Sequence, residues 1–247
     1  MPYRVTFAID ARQPPVLLRE YQAAMLECLT RINHVYLENH AVPALERSRV
    51  QVVQPNVAPN ASSNANGHAD YRDIPTVLRY EAGTLADLSA WRAAVQRQIY
   101  RTNTIQPALV GPPPGGRTTF ALDAFNGTLD ADESERDLSA LLDCLVRIDE
   151  LYLLVYPNTP LFRNTTVRYS EEPPGLEDWQ DIATCLRMGN GDCEELSAWR
   201  IAELRVRYRV PARPIIIPQI QPNGRYLYHI QVWTPWGVED PSRERGM

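Results

Sequence analysis

The chain has 247 residues, 44% of them hydrophobic, and a formal net charge of −5 at pH 7. That is enough to bury a sizeable core in one large or two small globular domains. The acidic balance argues against nucleic acid as a partner. No apolar run approaches the roughly 18 residues of a membrane span, so no membrane partner is expected, and the N-terminus lacks the basic and apolar regions of a signal peptide.

Four cysteines (Cys28, Cys144, Cys185, Cys193) show neither paired CxxC spacing nor the density of a disulfide scaffold, so a reducing, cytoplasmic compartment is expected, with no metal and no cofactor. All 25 residues counted as Lys+Arg are arginine. A GC-rich genome explains this. A sharper alternative is that a protein able to join acyl groups to amines avoids carrying lysine acceptors.

In chain order, the first helix is predicted over residues 17–40, where Leu18, Tyr21, Met25, Leu29, Ile32 and Tyr36 recur at helical spacing. The Asn/Ala/Ser-rich run at 55–70 reads as a loop. Next comes "DIPTVLRYEAGTLADLSAWRAA" from Asp73, which superimposes without a gap on "DIATCLRMGNGDCEELSAWRIA" from Asp181. Leu85 then stands opposite Cys193, and Thr84 opposite Asp192. Upstream, "MLECLTRINHVYL" matches "LLDCLVRIDELYL". Downstream, "GGRTTFALDAFNG" falls opposite "NGRYLYHIQVWTP", with Ala121 opposite His229 and Asp132 opposite Asp240. Three matches in one order predict a tandem duplication: residues 1–133 as a degenerate copy and 134–247 as an intact one. A rival detail is that "RVTFAID" near the N-terminus resembles "RTTFALD" at 117–123, which could instead open the second copy.

The second long helix, "ERDLSALLDCLVRIDELYLLVYP", must stop near Pro157, and its many carboxylates read as a solvated face. "CEELSAWRIAELRVRY" is a third helix, with Leu196, Trp199, Ile201 and Leu204 on or near one face and Asp192 as its N-cap. Two strands follow, "ARPIIIPQI" and "RYLYHIQVW", then the turn "TPWG". Helices followed by antiparallel strands predict an α+β fold. Period two puts Leu227, His229, Gln231 and Trp233 on one strand face and Tyr228, Ile230 and Val232 on the other.

Cys193 at a helix start is placed for a thiolate favoured by the N-terminal partial charge and free N–H groups. His229 is the candidate base, and Asp240, held extended by Pro241, the carboxylate that orients it. The Cys193 backbone N–H is the obvious oxyanion donor, with Trp179 or Gln180 as candidates for the second. Cys28, Cys144 and Cys185 read as buried thiols.

"GDCEELSAWRIAELRVR", "YHIQVW" and "EDPSR" resemble the Cys, His and Asp motifs of the transglutaminase-like superfamily, related to papain-like cysteine proteases. More narrowly, residues 136–247 resemble transglutaminase-like proteins of bacteriophage and prophage genomes. The resemblance implies helices packed on an antiparallel sheet, a Cys193–His229–Asp240 triad, and a peptide or protein substrate in the host cytoplasm. The expected activity is cysteine-dependent acyl transfer, with amide or peptide hydrolysis favoured over cross-linking. The alternative is a non-catalytic structural or assembly protein of a phage particle, with other virion proteins as partners. The first half lacks the cysteine and histidine, so no catalysis is expected there.

Overall fold

The computed structural model describes residues 3–8, 15–40, 48–52, 71–109, 117–122, 131–172, 177–220 and 226–247. The loop expected at 55–70 lies outside them. The chain mixes helices with small sheets and divides into two compact units, Met1–Leu129 and Asp130–Met247. No helix among the described residues is long and apolar enough to cross a membrane.

The first unit runs β1 (Tyr3–Ala8), α1 (Pro15–Asn39), β2 (Gln51–Val52), β3 (Tyr71–Arg72), α2 (Ile74–Tyr80), β4 (Ala82–Gly83), α3 (Leu85–Tyr100) and β5 (Arg117–Leu122). β5 pairs antiparallel with β1 and parallel with β3, and β2 pairs parallel with β4. α1 packs on α3 around Leu37, Ile74, Val77, Trp91 and Ala94. Arg97 of α3, almost wholly buried, crosses to Glu27 of α1 with bonds of 2.8 and 2.6 Å. Short polar side chains start the other helices: Asp73 accepts from the Thr76 N–H, and Thr84 and Asp87 form a reciprocal capping box.

The second unit runs α4 (Ala131–Val155), a 3-10 turn at Phe162–Asn164, β6 (Arg168–Tyr169), β7 (Glu177–Gln180), α5 (Ile182–Met188), β8 (Asn190–Gly191), α6 (Cys193–Arg207), β9 (Arg213–Ile220), β10 (Tyr226–Thr234), β11 (Gly237–Glu239) and α7 (Pro241–Glu244). The order strand, long helix, two short strands, short helix, short strand, helix thus runs from β1 to α3 and again from β5 to α6. α4 stops two residues before Pro157, where a helix is sterically disfavoured. β9, β10 and β11 form an antiparallel sheet with β10 central.

Several expectations change on contact with the structure. Every residue of α6 from Cys193 to Leu204 is buried, not one face only, because the helix has α4 on one side and β10 on another. Trp199 is fully buried, with Phe162 edge-on at 5.6 Å. The carboxylates of α4 are not all solvated: Asp149 is completely buried and accepts from the Ile182 N–H at 2.9 Å, so it caps a neighbouring helix rather than facing water. The expected correspondence of Ala121 with His229 also fails. Residues 117–122 pair with β1, and Asp132 lies within α4, a helical position unlike that of Asp240.

Candidate active site

The stretch before α6 is built from tight backbone turns. Gly189 ends α5 in the left-handed region at φ 78°, where glycine carries no Cβ penalty. Gly191 follows in β8, where a Cβ would stand 3.3 Å from Cys185 Sγ and 3.3 Å from Glu195 Cβ. Asp192 then caps α6 as expected, accepting from the Glu194 N–H at 3.1 Å. In return Glu195 accepts from the Asp192 N–H at 2.6 Å and the Gln180 N–H at 3.2 Å. Burial, followed by the charge of Asp192, pushes the Glu195 carboxyl well above the usual range.

These contacts fix Cys193 in the first turn of α6, where its backbone N–H has no intrahelical acceptor. The helix docks on β10 where that strand runs past the end of the short β11. Ser197 Oγ donates to the Ile230 carbonyl at 3.1 Å, and Cys193 Sγ lies 3.8 Å from the Tyr228 carbonyl. The first of these bonds, with the sulfur contact beside it, satisfies backbone groups that β11 leaves open.

The buried strand face carries Ile230 and Val232, both fully buried. His229 and Gln231 share the opposite face, as period two requires, opposite Ile217 and Ile215 of β9. The His229 ring bonds through Nε2 to Asp240 Oδ2 at 3.0 Å, and Gln231 Nε2 donates to the same oxygen at 3.0 Å. Asp240 also caps α7, accepting from the Arg243 N–H at 3.2 Å, with Pro241 at the first helical position. Burial opposes the charge on Asp240, but the bonds from His229 and Gln231 hold its carboxyl below the usual range.

Two of the three expected catalytic side chains are therefore in contact. The third is bonded elsewhere: Cys193 Sγ donates to Glu194 Oε2 at 3.0 Å and makes no hydrogen bond to His229. The thiolate expected at the helix start is not favoured here. Burial, then the carboxylates of Glu194 and Asp192, push the thiol far up, against the weaker pull of the Ile230 N–H.

Of the oxyanion candidates, Trp179 is fully buried in the core. Gln180 is held by its backbone N–H to Glu195, and its side-chain Oε1 is buried without a hydrogen-bond partner. Neither is bonded to Cys193. Cys185 is buried, its thiol 3.8 Å from the Gln180 carbonyl. Asp192, Cys193 and Glu194 bring one ligand atom each within 4.8 Å of one another, as do Glu172, Asp192 and Glu195. In both groups the carboxylates already accept from N–H or S–H groups.

Sequence reasoning missed Glu194. Glu194 was legible only as the residue after the cysteine. No family model, no curated protein and no solved structure matches this chain.

Proposed function

We propose that this chain is a cysteine-dependent acyl-transfer enzyme of transglutaminase-like type, acting on amide or peptide bonds with water as the favoured acceptor. Cys193 Sγ attacks the carbonyl carbon and forms a C–S bond while its proton passes to His229 Nδ1. Asp240 holds the other ring nitrogen and stabilises the imidazolium. The imidazolium protonates the departing amine as the C–N bond breaks. Water, deprotonated by His229, then cleaves the thioester, returning the thiol and releasing a carboxylic acid; an amine in place of water gives transfer.

The observation that carries this reading is the 3.0 Å bond from His229 Nε2 to Asp240, which leaves Nδ1 for the thiol. The His229 strand is also the one whose Tyr228 carbonyl lies 3.8 Å from Sγ. Glu194 holds the thiol at rest, so attack requires that contact to be exchanged for His229.

A recurring bonding pattern supports reading the first unit as a second, inactive copy. Asp87 accepts from the Arg72 and Thr84 N–H groups at 2.8 Å each, as Glu195 does from Gln180 and Asp192. Asn33 accepts from the Ile74 N–H at 2.9 Å, as Asp149 does from Ile182. The position of Cys193 is taken there by the exposed Leu85.

The test is the rate of Cys193 alkylation by iodoacetamide from pH 5 to 9, in the native chain and in His229→Ala. A working triad makes the rate depend on His229, and identical profiles overturn the proposal. The second reading, a phage structural or assembly protein with a vestigial triad, is favoured by the buried thiol bonded to Glu194 and predicts those identical profiles.

A further inference from the structure

α6 carries Cys193 at its start and Arg200 seven residues on, about 10 Å along the axis at 1.5 Å per residue. The Arg200 guanidinium is bidentate on Glu239, the last residue of β11, with Nε to Oε2 at 2.6 Å and Nη2 to Oε1 at 3.2 Å. Its remaining nitrogen donates to Glu203 Oε2 at 2.7 Å, and Glu203 Oε1 in turn accepts from the Phe162 N–H at 2.8 Å. Arg200, Glu203 and Glu239 expose only 8%, 1% and 10% of their side chains, so the fork is held from every side. Trp236 Nε1 also donates to Glu239, at 3.1 Å.

Adjacent residues of a strand send their side chains to opposite faces. Glu239, paired with Val232, points toward α6, and Asp240 emerges on the face of His229 and Gln231. Gripping Glu239 thus sets where the Asp240 carboxylate begins. In the first unit the arginine in the same "LSAWR" motif, Arg92, is exposed, and no sheet like that of β9 to β11 follows α3 among the described residues.

We propose that Arg200 is a positioning residue: through Glu239 it fixes Asp240, and with it the His229 ring, at a set distance from the start of α6. This rests on the reading of Cys193, His229 and Asp240 as a triad. A planar fork reading both carboxylate oxygens suits this role better than an ammonium, which offers a point charge without fixed orientation.

The test uses the full-length chain with Arg200→Gln, Arg200→Lys, Glu239→Gln and, as reference, Asp240→Asn. Each is checked for cooperative thermal unfolding and then compared by NMR of histidine-labelled protein, following the His229 Nε2–H that bonds Asp240. Arg200→Gln and Glu239→Gln are expected to shift the His229 resonances toward those of Asp240→Asn, with Arg200→Lys intermediate. The His229-dependent part of Cys193 alkylation by iodoacetamide is expected to fall about tenfold or more, the scale on which small displacements act. A folded variant with His229 resonances identical to the native chain overturns the proposal. If Arg200→Gln does not fold, Glu239→Gln decides the question, since it leaves Arg200 paired with Glu203. If alkylation of the native chain proves independent of His229 while the resonances still move, the triad reading falls and the hold of Arg200 on Asp240 stands.

Discussion

Replacing Glu194 by Gln removes a carboxylate whose oxygen lies 3.0 Å from the Cys193 sulfur. Both residues are buried, Glu194 with 9% exposed and Cys193 with 8%. At 3.0 Å two unit charges repel by about 5.5 kcal/mol at an effective dielectric of 20 and by about 1.4 kcal/mol in water. Each 1.36 kcal/mol is about a factor of ten in thiolate population, so the substitution raises that population by roughly 10- to 10⁴-fold. A less basic thiolate is also a weaker nucleophile, with a Brønsted slope of about 0.4–0.5, so about half of the logarithmic gain survives. Alkylation of Cys193 by iodoacetamide at pH 7 should therefore run about 3- to 100-fold faster in Glu194→Gln, and its pH profile should move toward acid. Peptide mass spectrometry resolves each site, with buried Cys28, Cys144 and Cys185 as internal controls. An unchanged rate would mean that the carboxylate does not hold the thiol. A slower one would make Glu194 the acceptor of its proton, and either result refutes the reasoning.

Asp149→Asn should stabilise the protein at neutral pH, because the second unit then uses the amide that Asn33 supplies in the first. Burial, followed by the charge of Asp181, pushes the Asp149 carboxyl well above the usual range. A group raised on folding binds its proton more tightly in the folded state, so the native chain loses stability as pH rises above about 4, where the unfolded carboxyl ionises. Urea titration should show the variant about 0.5–2 kcal/mol more stable at pH 7, and the two should converge near pH 4; a gain that persists in acid would contradict this origin. Asp87 is likewise raised by burial, to about 7 despite its backbone bonds. Its contribution should therefore decline between about pH 4 and about 7 and then level off. Here Asn should destabilise, by about 1–3 kcal/mol, because both oxygens accept N–H groups and an amide nitrogen can replace neither.

What the sequence revealed follows the range of the physics involved. The stop of α4 before Pro157, the Asp192 cap and the alternation along β10 depend on neighbours within a few residues, and each is readable from local spacing. The approach of His229 to Asp240 was legible because one strand and one turn separate them. The partner of Arg200 lies 39 residues away, and nothing local marks Glu239 over the other acids of its segment. Buried carboxylates were hardest to find: Asp149 and Glu195 look like surface charges until the backbone N–H groups they satisfy are placed. The burial of Trp179 has a related reason, since a large apolar ring gains more from the core than from a site rim.

β9 pairs Pro214 with Val232 and Pro218 with Tyr228. Proline has no hydrogen to give a ladder, so β9 bonds to β10 through its odd-numbered residues, and the even-numbered ones face away. Of the four outward positions Pro214, Ile216, Pro218 and Ile220, only Ile216 and Ile220 keep an N–H. An extended chain cannot lengthen this sheet along β9 with a full set of bonds, and the other border of β10 is occupied by β11 and the first turns of α6. Growth of the sheet along β9 is thereby hindered, which guards against edge-to-edge aggregation.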